Sequence, residues 1–292
     1  MQIKPHSTKN EYIRAGDVWV RNFAKRKVPP LSLDQMFDKK DYQIVMQNEN
    51  KNTKHSKISD EDISFRKIVI VSDGFDFSNK QHIIQKFPQD VAVLAVNGAL
   101  RHWQLMSSKY EDRRSINAYI INNPYSECTR YLPSKDMRYY PTCLASTRTN
   151  YEFLERYGGD VYTFETAHNI SFGKDNSEKY KIDDYRNPIC AAVGLAYQFG
   201  VRKLMLLCCD DSFEKERDYA VQLDNDLWTY PQQLRSQDII DANLYWLTHQ
   251  EDVQVEVVDC SSGREYVNAI YIKDEEGAIQ FFEDEREEPN ES

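Results

Sequence analysis

The sequence contains no apolar run approaching the roughly 18 residues that a membrane-spanning helix requires, so no such helix is expected. Its first ten residues, MQIKPHSTKN, lack the charged-then-apolar layout of a secretory leader, and a cytoplasmic location is expected. The six cysteines (Cys128, Cys143, Cys190, Cys208, Cys209 and Cys260) form no C-x-x-C pair, and four of them sit in apolar stretches. That pattern reads as reduced core thiols rather than a disulfide framework or a zinc site. No internal repeat occurs at solenoid or propeller periods. The dinucleotide fingerprint G-x-G-x-x-G is also missing, because Gly74 stands alone after the first apolar strand candidate.

Basic residues are scarce beyond the first segment. Residues 1–67 hold 14 Lys and Arg against 9 Asp and Glu, net +5, whereas the remainder holds 23 against 38, net −15. An acidic body disfavours nonspecific binding of polyanions, so nucleic acid is not an expected partner. The basic cluster NFAKRKVPP, residues 22–30, reads as a solvated segment that could engage a protein partner, and the tail EDEREEPNES as a solubilising, disordered end.

What is present is a chain of 292 residues, 40% hydrophobic, long enough to bury a sizeable core. Residues 47–64, QNENKNTKHSKISDEDIS, have almost no apolar side chain and read as a linker or long exposed loop. Ser32 with Gln35 three positions on resembles a capping box opening a short helix before it. The expected organisation is an N-terminal extension and linker over 1–62, one domain over 63–282 and an acidic tail over 283–292.

Beyond the linker, short apolar runs alternate with helical candidates. The runs are Lys67–Ser72, Val91–Val96, Asn117–Asn122, Val161–Phe164, Lys203–Cys208 and Val253–Val258; the helices are KQHIIQKF, ALRHWQLM, NYEFLERY, PICAAVGLAYQF and QQLRSQDIIDANLYWL. Strands interleaved with helices predict an α/β, Rossmann-like, mostly parallel and doubly wound sheet. Pro188 suits a first helical turn and Gly200 stops the helix before Lys203–Cys208.

In such sheets ligands gather outside the carboxyl ends of the strands, and here those ends are polar. The run LMLLCC ends in Asp210, Asp211 and Ser212, placed either at a site or in a solvated turn. The first strand ends in Ser72, Asp73 and Gly74, followed by Asp76; the acids could bind a hydroxyl, an amine or a divalent ion, or the stretch could be an ordinary turn capped by Ser78 or Asn79. Asn97 follows the second strand and could meet a base or ribose or satisfy the turn, and Asn122 and Asn123 end the third before Pro124. His168 lies in a polar stretch of about twenty residues, a length typical of lids, where an imidazole could act as acid or base. His102 reads as a packing or surface residue.

The order of these features, with LAVNGAL, NAYIINNP, TFET and then NPICAAVGLAYQFGVRKLMLLCCDDSF, resembles the domain of motility accessory factors, a family once known only as a domain of unknown function. That family is similar in layout to bacterial sialyltransferases and archaeal hydroxymethylpterin pyrophosphokinases. The resemblance spans Lys67 to Gly263, and it is strongest in the last segment, GLAYQFGVRKLMLLCCDDS, set against the family pattern A-x-x-L-G-x-K-x-I-x-L-x-G-x-D-x-S. It implies a domain that binds a nucleotide or nucleotide sugar and passes a group to an acceptor. By position, Ser72 and Gly74 would flank phosphates, Asn97 would meet the nucleotide, and Asp210 with Ser212 would line the pocket. His168 matches the loop in which the sialyltransferases keep a catalytic histidine. The family's first turn, G-x-G-P-S-L, is Ser72-Asp73-Gly74-Phe75-Asp76-Phe77 here, and the glycine before the last aspartate is Cys209.

The leading expectation is a nucleotide-sugar-dependent glycosyltransferase with His168 and Asp210 as catalytic residues. A magnesium-dependent pyrophosphokinase, with the ion held by Asp73, Asp76 and Asp210, is a second reading. A non-catalytic scaffold, viral or borne on a mobile element, is a third. Asp210→Asn is expected to abolish transfer while leaving the melting temperature nearly unchanged; collapse of the fold would instead make Asp210 a structural residue.

Overall fold

In a computed structural model the protein is described over residues 12–15, 18–21, 39–58, 63–74, 77–107, 114–133, 139–166, 181–182, 187–209, 240–250, 254–261 and 266–283. The strands are β1 (Tyr12–Ala15), β2 (Val18–Arg21), β3 (Ser56–Lys57), β4 (Lys67–Val71), β5 (Val91–Val96), β6 (Ala118–Ile121), β7 (Thr142–Ser146), β8 (Val161–Thr166), β9 (Lys181–Ile182), β10 (Lys203–Leu207), β11 (Glu256–Asp259) and β12 (Ile270–Tyr271). The helices are α1 (Lys39–Asn52), α2 (Phe77–Lys80), α3 (Ala99–Ser107), α4 (Tyr151–Arg156), α5 (Pro188–Gln198), α6 (240–248) and α7 (Glu275–Glu283). Tight 3-10 turns follow α2 at Gln81–Lys86 and β6 at Ser126–Tyr131.

β1 and β2 form an antiparallel hairpin of their own. The other strands make one sheet in the order β12-β11-β10-β4-β5-β6-β7-β8-β3, with β9 also on β8, and every pairing in it is parallel. Parallel strands need both faces covered, and β5, β6 and β10 are buried along their whole length. One face packs Ile68, Ile70, Leu94 and Val96 against α5 and α6; the other packs Val69, Val71, Val93 and Ala95 against α3, α4, α7 and the Gln81–Lys86 turn. This is the expected doubly wound, Rossmann-like arrangement. All six cysteines are buried and none is in a disulfide, and no helix among the described residues is long and apolar enough to cross a membrane.

α5 forms where its sequence signals put it. The Asn187 side chain accepts from Ile189 N (2.8 Å) and Cys190 N (3.4 Å), Pro188 opens the first turn, and Gly200 takes φ 79° past the end. Gly200 N then donates to the Tyr197 carbonyl and Val201 N to that of Ala196, which closes the last turn and feeds the chain into β10. Gly194 lets β9 lie on this helix, since a Cβ there would stand 2.7 Å from Ile182 Cγ2.

The linker expected over 47–64 is corrected over 47–58, and the described helix in this region runs from Lys39 to Asn52, beyond the short segment expected after Ser32. These polar residues fold because their amides serve as connectors. Asn52 Nδ2 donates to the carbonyls of Thr147 (2.9 Å) and Thr149 (2.7 Å), and Asn48 Nδ2 donates to those of Pro124 (2.9 Å) and Arg148 (3.1 Å). β3 then adds to β8, and Ile58 is fully buried in the core. β7 was not expected as a strand: TCLAS has one β-branched residue, and its place between β6 and β8 makes it one.

Asn52→Ala removes the donor to two backbone carbonyls and is expected to destabilise the fold by about 2–3 kcal/mol in urea titration; a change below about 0.5 kcal/mol would mean that α1 is not part of the folding unit.

Candidate functional site

β4 is the first of the buried strands in chain order and lies between β10 and β5. From it the chain steps through β5, β6, β7 and β8 to one side, then returns to place β10 and β11 on the other. The reversal makes the gap between β4 and β10 the switch point, where open α/β sheets leave a crevice. Two bonds prolong this pair past the ladder: Ser72 N donates to the Leu207 carbonyl (3.1 Å) and Gly74 N to that of Cys208 (3.0 Å). The Gly74 amide is therefore committed to β10 rather than presented to a phosphate.

Asp73 turns toward β5. Its Oδ2 packs so closely on Gly98 that a Cβ at that position would collide with it, and the same Cβ would stand 3.4 Å from Tyr131 Cδ1. Gly98 thus keeps open the place where the carboxyl meets Tyr131, at the start of α3. Ser72 Oγ donates to Asp73 Oδ1 over a long 3.4 Å. Burial dominates and pushes the Asp73 carboxyl up to about 6, against bonds from its own backbone and from Ser72, and against the positive charge of Arg130. Tyr131 is pushed up to about 12, mostly by burial and further by the Asp73 charge.

Asn97, the residue before Gly98, has φ 49° and a buried Oδ1 without a hydrogen-bond partner. A non-glycine residue in that region of backbone space costs free energy and persists because its surroundings fix it. Asn122 is buried at the end of β6. Asn123 is committed to structure: its Oδ1 accepts from Tyr125 N (2.9 Å) and its carbonyl from Asn150 N (2.9 Å), the residue whose own side chain caps α4. His102 is buried against Phe77, ring centroids 5.6 Å apart, and burial drives its ring down to about 4, so it is a neutral packing residue.

On the β10 side the backbone is equally constrained. Cys208 has φ 56°, and Cys209 is held from three directions: its N–H by Ser261 Oγ (2.9 Å), its carbonyl by the Tyr266 hydroxyl (2.5 Å) and its thiol by the Ile70 carbonyl (3.4 Å). Asp259, at the end of β11, supports this clamp by accepting from Ser261 N (2.9 Å); burial raises its carboxyl to about 6. Lys80 Nζ donates to the Cys260 carbonyl (2.5 Å), which puts a cation on the β11 flank.

The structure thus brings Ser72, Asp73, Gly74 and Asn97 together at one sheet edge, with Asn122 and Asn123 one strand further along. His168, Asp210, Asp211 and Ser212 lie outside the described residues, as does Asp76. Among the described residues no group of three or more His, Cys, Asp or Glu could hold a metal ion. Sequence reasoning missed Arg130, Tyr131 and Lys80 and gave Gly98 no role beyond a glycine at a strand end. Gly98 was visible as the small residue after Asn97, whereas Arg130 and Tyr131 reach the site from a 3-10 turn with no periodic signature.

No protein-family model matches the chain, and no curated protein matches it. Among solved structures it is similar in fold to the MAf glycosyltransferase from Magnetospirillum magneticum AMB-1, with a TM-score of 0.55 and 14% identity over 79% of this chain. The match covers 38% of that protein, so this chain corresponds to well under half of its length.

Asp73 binds a proton more tightly folded than unfolded, because its carboxyl lies at about 6 rather than 3.8. Stability therefore falls as pH rises through that window, and the ionised carboxyl costs up to about 3 kcal/mol above it. Asp73→Asn is expected to melt higher than wild type at about pH 7.5, with the gap closing near pH 4 while the slope due to Asp259 remains. Equal pH profiles for the two proteins would show that Asp73 is not desolvated.

Proposed function

We propose that the chain is a glycosyltransferase-like enzyme that takes a nucleotide sugar at the carboxyl ends of β4, β5, β6 and β10 and passes the sugar to a hydroxyl acceptor. The observation that carries this reading is the Asp73 carboxyl, brought near neutrality by burial beside the switch point. A carboxyl at about 6 is mostly ionised at neutral pH yet basic enough to draw a proton from an alcohol as the new bond forms. The shared fold of a glycosyltransferase supports the same reading.

Charge sorts the two halves of the crevice. Phosphate is repelled from Asp73 and favoured toward the flank where Lys80 stands at the end of β11. The donor accordingly sits with its phosphate on the β10–β11 side, and Ser72 and Asn122 hold its polar groups. Asp210, Asp211 and Ser212, which follow Cys209 in the sequence, are assigned on this reading to the hydroxyls of the sugar rather than to the phosphate. His168 makes the complementary transfer, giving a proton to the departing phosphate. Catalysis on this scheme comes from positioning and from charge stabilisation of the leaving group.

The test is a thermal-shift panel of CMP-, UDP- and GDP-sugars, free nucleotides and ATP, each with and without magnesium or manganese. A ligand that binds only the native state raises the melting temperature. One nucleotide-sugar class is expected to shift it, and Asp73→Asn is expected to keep that shift while slowing transfer at least about 100-fold. No shift with any nucleotide sugar would sink the reading, and a shift confined to ATP with magnesium would replace it by the pyrophosphokinase reading.

A further inference from the structure

Arg130 is a half-buried cation whose charge acts on the Asp73 carboxyl. It sits near the end of the Ser126–Tyr131 turn, where Arg101 Nη1 from α3 donates to its carbonyl, and its guanidinium carbon lies 5.4 Å from the centroid of the Tyr131 ring. Its charge acts on Asp73, yet among the described residues no ion pair of 4.0 Å or less joins the two. Its Nε is buried and has no hydrogen-bond partner. A buried donor left unpaired costs about 1–3 kcal/mol, so a group that satisfies it is favoured.

The charges on either side decide what that group can be. An anion would satisfy Arg130 and be repelled by Asp73, and an ammonium would do the reverse. Only a neutral group that accepts from Nε–H and donates to a carboxylate satisfies both, and a hydroxyl does so with one oxygen. Asn97 Oδ1, buried and unpartnered one residue before Gly98, can accept from a second hydroxyl nearby. The groups that face Asp73 are Ser72 on its own strand end, Gly98 at the start of α3, and Arg130 and Tyr131 on the turn after β6.

We propose that Arg130, Asp73 and Asn97 form a seat for a polyol, with the Arg130 Nε–H donating to one hydroxyl oxygen, Asp73 accepting that hydroxyl's proton and Asn97 Oδ1 accepting from a neighbouring hydroxyl. The seat deepens the glycosyl-transfer reading by assigning the acceptor a chemical class, and the reaction step rests on that reading. In that step the acceptor O–H bond breaks and its proton passes to Asp73. The oxygen forms a bond to the anomeric carbon, and the bond from that carbon to the phosphate oxygen breaks with its electron pair leaving on the nucleotide.

The seat is readable without any transfer. In the full chain labelled with [13Cγ]aspartate, with the Asp73 resonance assigned by its loss in Asp73→Asn, the titration midpoint is followed with and without glycerol, methyl α-glucoside and methyl α-galactoside. At least one polyol is expected to move the wild-type signal. Arg130→Gln should raise the Asp73 midpoint by about half a pH unit or more and weaken the polyol response at least about five-fold. Arg130→Lys keeps the charge but not the Nε donor, so it should hold the midpoint and lose the response. No perturbation by any polyol in wild type, or a response that survives in both Arg130 variants, overturns the seat. A positive seat together with a blank nucleotide-sugar panel would instead keep the polyol site and discard glycosyl transfer.

Discussion

The parallel pairing of β4 with β10 is the interaction on which the rest of the site depends. β10 reaches β4 only after the chain has laid down β5 to β8 and turned back through α5, so the pair closes the sheet between distant parts of the sequence. Past the ladder, the two backbone bonds to Leu207 and Cys208 lock the exits of both strands together. The left-handed backbone at Cys208 is tolerable because Ser261 and Tyr266 fix the residue after it. The carboxyl ends of β4 and β10 are therefore fixed against each other, and the side chains that follow them set the chemistry of that edge.

Those side chains are out of balance with their surroundings. Asp73 and Asp259 are carboxyls that burial holds up to about 6, Arg130 is a guanidinium with an unpaired donor, and Asn97 combines left-handed backbone with an unpaired acceptor. None of these choices maximises stability, and four of them crowd the carboxyl edge of one sheet. Each of these groups is held at a cost in stability that a new hydrogen-bond partner would relieve. Asp259 accepts from the Ser261 amide and so supports the exit of β10.

The sheet was legible in the sequence wherever a strand was an apolar, β-branched run: β5 lies at Val91–Val96 as expected, and β4 and β10 differ only by the last residue. α5 was legible to its caps because Pro188 and Gly200 act locally. β11 begins three residues later than expected, at Glu256, because the start of its neighbour Lys203 sets the register. α1 was illegible for a different reason. Its polar residues look solvated by composition, and only the tertiary position of the Pro124 and Thr147–Thr149 carbonyls turns Asn48 and Asn52 into anchors. Of the candidate site, the strand ends were visible as polar, turn-forming residues. The facing partners were not, because Arg130 and Tyr131 arrive from a 3-10 turn that leaves no periodic pattern in the sequence and is joined to α3 by the Arg101 bond to the Arg130 carbonyl.

The rims of the sheet carry a consequence for colonies of molecules rather than for one. Among the described residues, β3 and β12, which end the strand order, are each two residues long, and beside β3 the rim bears the Lys57–Glu165 ion pair at 2.9 Å. A sheet this wide would be a template for strand addition if its borders were long and flat. Two-residue borders offer too few backbone groups for a second chain to register against. Ile270, 66% exposed on β12, is then an isolated apolar side chain on a truncated edge instead of the start of a growing fibril.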